Sequence, residues 1–362
     1  MTTEFVDVAE LELLGEIPHD GGNSSLHRCR YGGRGYLFKR FRPHFLSDLD
    51  ELALRDLVRW RERLAEADRT RLDTVTAWPR RIVVSDDNVL GVLLVEAPAE
   101  FTWQPGPDEP RRARGFTELI SFTGAGRPRP GAAASVRRNA LAAAIEVLVW
   151  LHGLGVLMVD VQADNILTTA DGTRVLFLDC DVAWGPWGRP ASASAPNYMQ
   201  QAIPRLKSPT VSTDLGRLAW LAIWALTDNN SLAATSAGML SAEDEEFLRE
   251  RLAATTTGDT ELARWRRLAA AWTTRPVRAA RTSGVRLPHQ RRAKPRRRGD
   301  WLPPDLVLPE IAGRLPEIAF PKLSHVLDPA PPAAPRRSRM PLVALSAAAV
   351  LVLLMLVLKG TL

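Results

Sequence analysis

Cysteine is almost absent from this chain: there are two in 362 residues, Cys29 and Cys180, far apart and without metal-ligand spacing. That excludes a disulfide framework and points to a reducing compartment. Histidine is also scarce, and its six copies are scattered, so no zinc centre is expected. The opening residues, MTTEFVDVAELELLGEIP, carry acidic side chains and lack both a basic start and a long apolar run. They do not read as a secretory signal, which places the start of the chain in the cytoplasm. Acidic residues are heavily outnumbered by basic ones in one long stretch. From 275 to 339 there are 15 Lys and Arg against 5 Asp and Glu, in a chain whose formal net charge is +6. The basicity therefore belongs to that segment, the body before it is mildly acidic, and no nucleic-acid partner is expected. What remains is a hydrophobic content of 46%, that of a globular protein, over a length that holds one large or two ordinary domains.

The stretch from Leu148 to Gly185, LVWLHGLGVLMVDVQADNILTTADGTRVLFLDCDVAWG, organises the rest. It reads as the end of an apolar helix, a loop carrying Asp160 and Asn165, a hairpin turning at Asp171-Gly172, and Asp179 at the end of the strand VLFLD. An Asp and an Asn five residues apart, with a second Asp after the following hairpin, suit phosphoryl transfer from a nucleotide. One Asp orients the attacking hydroxyl, and the Asn and second Asp hold Mg2+, which neutralises charge on the phosphoryl group.

With these residues in view, the chain resembles the protein kinases, and more closely a divergent bacterial Ser/Thr kinase-like branch with D-x-D in place of D-F-G. VDVQADN lies where that family has H-R-D-x-x-x-x-N, and LDCD lies where it has D-F-G. Met158 and Val159 replace the motif's His and Arg, Gln162 stands where serine/threonine kinases place a Lys, and Cys180 and Asp181 follow Asp179. The resemblance implies ATP and Mg2+ as cofactors, Asp160 and Asn165 as catalytic residues, and Asn165 and Asp179 as metal ligands. Asp181 either supports a second metal or packs locally.

Taken in order, residues 1 to 45 show β-like alternation ending in RGYLFKRF, after the Gly- and Ser-rich GEIPHDGGNSSLHRCRYGG. A Lys amid apolar strand residues is costly to bury without an anionic partner. By the resemblance Lys39 pairs with the α- and β-phosphates, and Gly21 and Gly22, with Asn23, Ser24 and Ser25, form the loop over them. Residues 46 to 65 read as an amphipathic helix with Ser47 as its N-cap. In kinases a Glu here pairs with the strand Lys; Glu51 is the first choice and Asp56 the alternative. Strands follow in AWPRRIVVS and VLGVLLVEAP, turning at Asp86-Asp87-Asn88, and Glu96 and Ala97 fall at the hinge whose backbone meets adenine in the family.

Residues 99 to 132 form a Pro-, Gly- and Arg-rich connection, and 133 to 154 a strong helix in which His152 reads as a packing residue. SAPNYMQQA occupies the place of the family's A-P-E but lacks its Glu, with Ala202 or a neighbouring Gln standing there. Asp214 opens the helix STDLGRLAWLAIWALT; in kinases an Asp here hydrogen-bonds the catalytic-loop backbone, and it is equally a good helix cap. Helical segments from Ala242 to Trp272 complete the second lobe.

Residues 275 to 339, rich in Pro and Arg with RRAKPRRR at 291 to 298, read as a largely disordered linker. From Met340 to Leu358 no charge appears, over about the length that spans a hydrocarbon core as a helix. Arg336, Arg337 and Arg339 precede it and only Lys359 follows, so the positive-inside rule keeps the preceding chain in the cytoplasm.

The expected architecture is α+β: a bilobal protein kinase-like fold over 8–274 (small lobe about 8–98, helical lobe about 133–274), then the linker and one C-terminal transmembrane helix. The implied activity is transfer of the ATP γ-phosphoryl group to Ser or Thr of a protein by a single-pass protein of the cell membrane. A protein phosphatase is a plausible partner by the same resemblance. Two other readings compete: a pseudokinase serving as a nucleotide-binding docking platform, and a small-molecule phosphotransferase sharing the D-x-x-x-x-N loop.

Overall fold

A computed structural model of the chain describes residues 4–17, 22–104, 106–120, 131–191, 209–228, 240–253 and 259–274. Gly21, the SAPNYMQQA segment, the linker and the apolar run from Met340 lie outside the described residues.

The N-terminal half is a sheet of six strands: β1 (Phe5–Asp7), β2 (Glu12–Ile17), β3 (Ser24–Tyr31), β4 (Arg34–Phe41), β5 (Arg81–Ser85) and β6 (Asn88–Leu94). Their spatial order is β1-β5-β6-β4-β3-β2, with β1 parallel to β5 and the other pairs antiparallel. Turn chemistry sets the registers. The β3–β4 turn is Gly32-Gly33 and the β5–β6 turn is Asp86-Asp87, all four at positive φ, which gives two-residue loops the twist that antiparallel neighbours need. In this register Lys39 on β4 stands opposite Leu26 on β3 and Val92 on β6. Next to it Gly91 is pressed onto β4: a Cβ there would lie 2.0 Å from the Lys39 carbonyl oxygen.

Between β4 and β5 the structure corrects the single helix expected over 46–65. A short α1 (Pro43–Leu46) ends at Ser47, whose hydroxyl donates to the His44 carbonyl at 2.8 Å, and α2 (Glu51–Arg63) starts afresh. Asp50 is the cap, its carboxylate accepting the Ala53 N–H at 3.0 Å. Pro43 nucleates the first turn early, and Asp50 then restarts the helix. A third helix, α3 (Glu66–Val75), follows with Leu72 as its one buried residue. So little apolar periodicity gave no signal in the sequence.

The second half is mostly helical. After a small pair, β7 (Thr102–Trp103) with β8 (Arg112–Ala113), come α4 (Ala134–Gly153), the hairpin β9 (Ile166–Thr168) and β10 (Val175–Phe177), then α5 (Val211–Thr227), α6 (Ala242–Ala253) and α7 (Asp259–Thr274). The hairpin tip is seated on α4: Gly172 has φ +74, and a Cβ on it would come within 2.2 Å of the Val136 carbonyl. Helix α5 is buried nearly all round, which fits its almost uncharged sequence. One apolar cluster runs from Phe41, Leu54 and Trp78 through Leu148 to Trp224 and Trp272. The two halves therefore share a core. Sheet first and helices second, this is a mixed α+β arrangement.

Candidate active site

The loop after α4 is held from beneath. Asp214, in the first turn of α5 and fully buried, accepts the N–H groups of Met158 at 2.8 Å and Val159 at 2.9 Å. Val159 needs this support, since its φ of 61° is a strained conformation for a β-branched residue. His152 also meets Asp214, Nε2 to Oδ2, at 3.0 Å. The histidine expected to be simple packing is thus part of the loop's scaffold. The helix period that buries it also turns it toward α5.

Asp160, next in the loop, has a largely buried carboxylate with partners on the loop and on α5. Gln162 and Asn165 each donate to it at 2.9 Å, and the Arg217 guanidinium lies 3.4 Å away. Burial pushes the Asp160 carboxyl above its ordinary value, while Arg217 pulls it back. Asn165 also donates to the Asp160 carbonyl at 3.1 Å, so its NH₂ is committed to the loop and its side-chain oxygen takes no part in these bonds. Its backbone carbonyl accepts the Leu178 N–H at 2.8 Å, which ties the loop to the strand end before Asp179.

Asp179 itself is left-handed, φ 54°, and half exposed. Lys39 reaches it from β4: Nζ donates to Asp179 at 3.1 Å and to both oxygens of Asp181, at 2.7 and 3.0 Å. Burial alone would lower the Lys39 ammonium, but the charges of Asp179 and Asp181 outweigh it and hold its pKa above the usual lysine range. Asp181 is wholly buried, and desolvation raises its carboxyl against the pull of Lys39. Between them the Cys180 thiol is fully buried, and desolvation pushes it well above its usual value.

Neither acidic residue expected to pair with Lys39 does so. Glu51 is exposed on the first turn of α2, and Asp56 sits beside Arg59 at 3.9 Å with its side chain half exposed. Helix α2 is held by other contacts. The Asp50 N–H donates to the Pro190 carbonyl at 2.7 Å, and Trp60 packs at 5.3 Å from Trp78 and 4.9 Å from Trp187. The place beside Nζ is filled by Asp181.

Of the remaining candidates, Gly22 leads into β3 with open space around it. Glu96 follows β6 and takes the Arg28 guanidinium at 2.9 Å on the surface, and Ala97 packs against the small cluster of Phe101, Leu167 and Leu176. Arg217 went unremarked in the sequence. Its signal was a cation within the apolar run LGRLAWLAIWAL, where a buried charge requires an anion.

Among the described residues no three His, Cys, Asp or Glu side chains gather as a metal cage. Mg2+ asks for less, since it usually keeps waters and shares one or two protein ligands with substrate phosphates. The half-exposed carboxylate of Asp179 and the side-chain oxygen of Asn165 are hard oxygen donors of that kind, so the residues present fit the ion.

No family model matches the sequence, and no curated protein does. Among solved structures the chain is similar to the kinase PK-1 of the Cydia pomonella granulovirus, at 14% identity over 68% of this chain and 88% of that one, with a TM-score of 0.43. It is also similar to the kinase domain of PknI from Mycobacterium tuberculosis, at 16% identity over 75% of this chain and 98% of that one, with a TM-score of 0.47. So remote a likeness assigns no role to any residue.

Proposed function

We propose that this chain is an ATP-dependent, protein kinase-like phosphotransferase that acts on Ser or Thr of a protein at the cytoplasmic face of a membrane. The observation that carries the activity is the meeting of Lys39 and Asp179. They are 140 residues apart in sequence, and their side chains meet at 3.1 Å, beside the loop whose Asp160 and Asn165 are hydrogen-bonded to each other.

In this reading Asp160 accepts the hydrogen bond of the substrate hydroxyl and points its oxygen at the phosphorus. Gln162 and Asn165 hold that carboxylate in one orientation, so it is placed before the substrate arrives. The buried Lys39 ammonium pairs with nucleotide phosphates, and Asn165 and Asp179 hold Mg2+. When bound, the ion supplies charge neutralisation on the phosphate oxygens. Asp214 and His152 keep the strained loop backbone in shape and touch no reacting atom.

A second reading, a nucleotide-binding docking protein without catalysis, is favoured by Gln162, which spends its amide on Asp160 and brings no cation to the loop. Incubating the full chain in detergent with γ-labelled ATP and Mg2+ separates the two. Label on the protein or on a generic acceptor, lost in both Asp160→Ala and Asp179→Ala, is the expected result. A folded chain that binds ATP and transfers nothing is the docking protein.

A further inference from the structure

We infer that Asp181 is the positioning residue of the Lys39 phosphate clamp, so that the clamp is assembled by the D-x-D segment and is independent of helix α2. This rests on the nucleotide-binding reading above and adds to it a residue and a consequence.

The geometry favours Asp181 over each alternative. Both of its oxygens face Nζ, at 2.7 and 3.0 Å, and its side chain is 1% exposed against 48% for Asp179. A carboxylate so enclosed, with both oxygens already spent on an ammonium, is poorly placed to take a metal ion as well. Asp179, in contrast, keeps solvent access for a ligand. Burying Lys39 requires an anion that stays when the phosphates leave, and Asp181 is the buried one. Helix α2 offers no competitor, because Glu51 and Asp56 lie on its exposed side and its first turn is tied to Pro190. The third position of LDCD therefore carries an acid because the lysine's partner comes from the same segment as the metal ligand. Lysine and metal ligand are then positioned as one unit, and α2 is left to anchor the segment from Trp184 to Pro190.

The test is a set of variants of the full chain in detergent, read by displacement of a fluorescent ATP analogue with and without Mg2+. Asp181→Asn should weaken Mg2+·ATP binding about tenfold or more, the scale of a lost hydrogen bond to a charged group. It should add almost nothing in a Lys39→Met background and leave the Mg2+ concentration for half-saturation unchanged. The pair Glu51→Gln with Asp56→Asn, both surface changes that the fold tolerates, should bind as the parent does. Two results overturn the inference. One is an Asp181→Asn loss that persists in Lys39→Met with a raised Mg2+ requirement, which makes Asp181 a metal ligand. The other is a weakening by the α2 pair, which brings that helix back to the lysine. A parent chain that binds no nucleotide sinks the proposed function itself, and it is told apart because every variant then looks like the parent.

Discussion

Arg217 shows how much a single buried charge constrains. Its side chain is about nine-tenths buried, its Nε has no hydrogen-bond partner among the described residues, and the carboxylate it lies against, at 3.4 Å, is that of Asp160. A guanidinium is costly to bury unless an anion repays the lost hydration, so its presence on a helix of apolar residues is tied to Asp160. The loop MVDVQADN has no cation of its own, and Arg217 supplies one from below. If Asp160 orients the hydroxyl as proposed, Arg217→Leu should lower kcat about tenfold by loosening that carboxylate, while KM for ATP changes little. Removing one partner of a buried pair leaves the other charge uncompensated, so the variant should also melt lower than the parent, kcat is read well below its melting temperature, and Arg217→Lys should recover part of both the rate and the stability. A loss confined to KM, or no loss at all, shows that the contact does not position Asp160.

At the scale of elements, the β9–β10 hairpin gives a prediction with a defined sign. Asp171 at its turn accepts the Thr169 hydroxyl at 2.6 Å and the Thr173 N–H at 3.0 Å, and these bonds pull its carboxyl from 3.8 down to about 2. The folded state therefore prefers the charged form. Its contribution to stability is complete above the unfolded value and is lost as pH falls through the folded one. Exposure to solvent screens the effect, so it should be small. Melting temperatures of the parent and Asp171→Asn should differ most at about pH 5 and converge toward about pH 2; a difference that is constant with pH removes the carboxylate from the hairpin's stability.

This hairpin was also legible in the sequence, as was the turn at Asp86-Asp87, because Asp and Gly at such positions carry their own φ preference and need no tertiary context. Helix α5 was legible for a similar reason: its apolar run is long enough to leave one reading. Lys39, Asp160, Asn165 and Asp179 were singled out through the resemblance to the kinase motifs, and the structure brings Lys39 to Asp179 and Asn165 to Asp160. Their other partners were not legible. The contact between Lys39 and Asp181 spans 142 residues, and which acid fills the space beside Nζ depends on where the Trp60, Trp78 and Trp187 rings let α2 lie. No local pattern holds that information. The restart of the helix at Asp50 was missed because Ser47 offers an equally good capping side chain, and only the fold chooses between them.

For the whole molecule, the main apolar cluster of the described residues runs from Phe41 to Trp272 with two smaller ones beside it, and none of their helices is long and apolar enough to cross a membrane. Two features of the sequence beyond residue 274 bear on membrane attachment, and they differ in physics. The 15 Lys and Arg of 275–339 can attract an anionic lipid surface, an interaction that falls off within a Debye length of roughly 10 Å at 0.1 M salt and less at higher salt. The uncharged run from Met340 to Leu358 can hold through the hydrophobic effect, which added salt does not weaken. Washing membranes that carry the full chain with about 1 M salt, where screening acts within about 3 Å, decides which dominates. We expect the chain to stay in the pellet through the wash and to leave it in detergent, and a chain lacking 340–362 to be released by salt alone. Release of the full chain by salt would make the attachment electrostatic, and the chain would then sit at the membrane only while its own basic charge and the lipid's charge allow it.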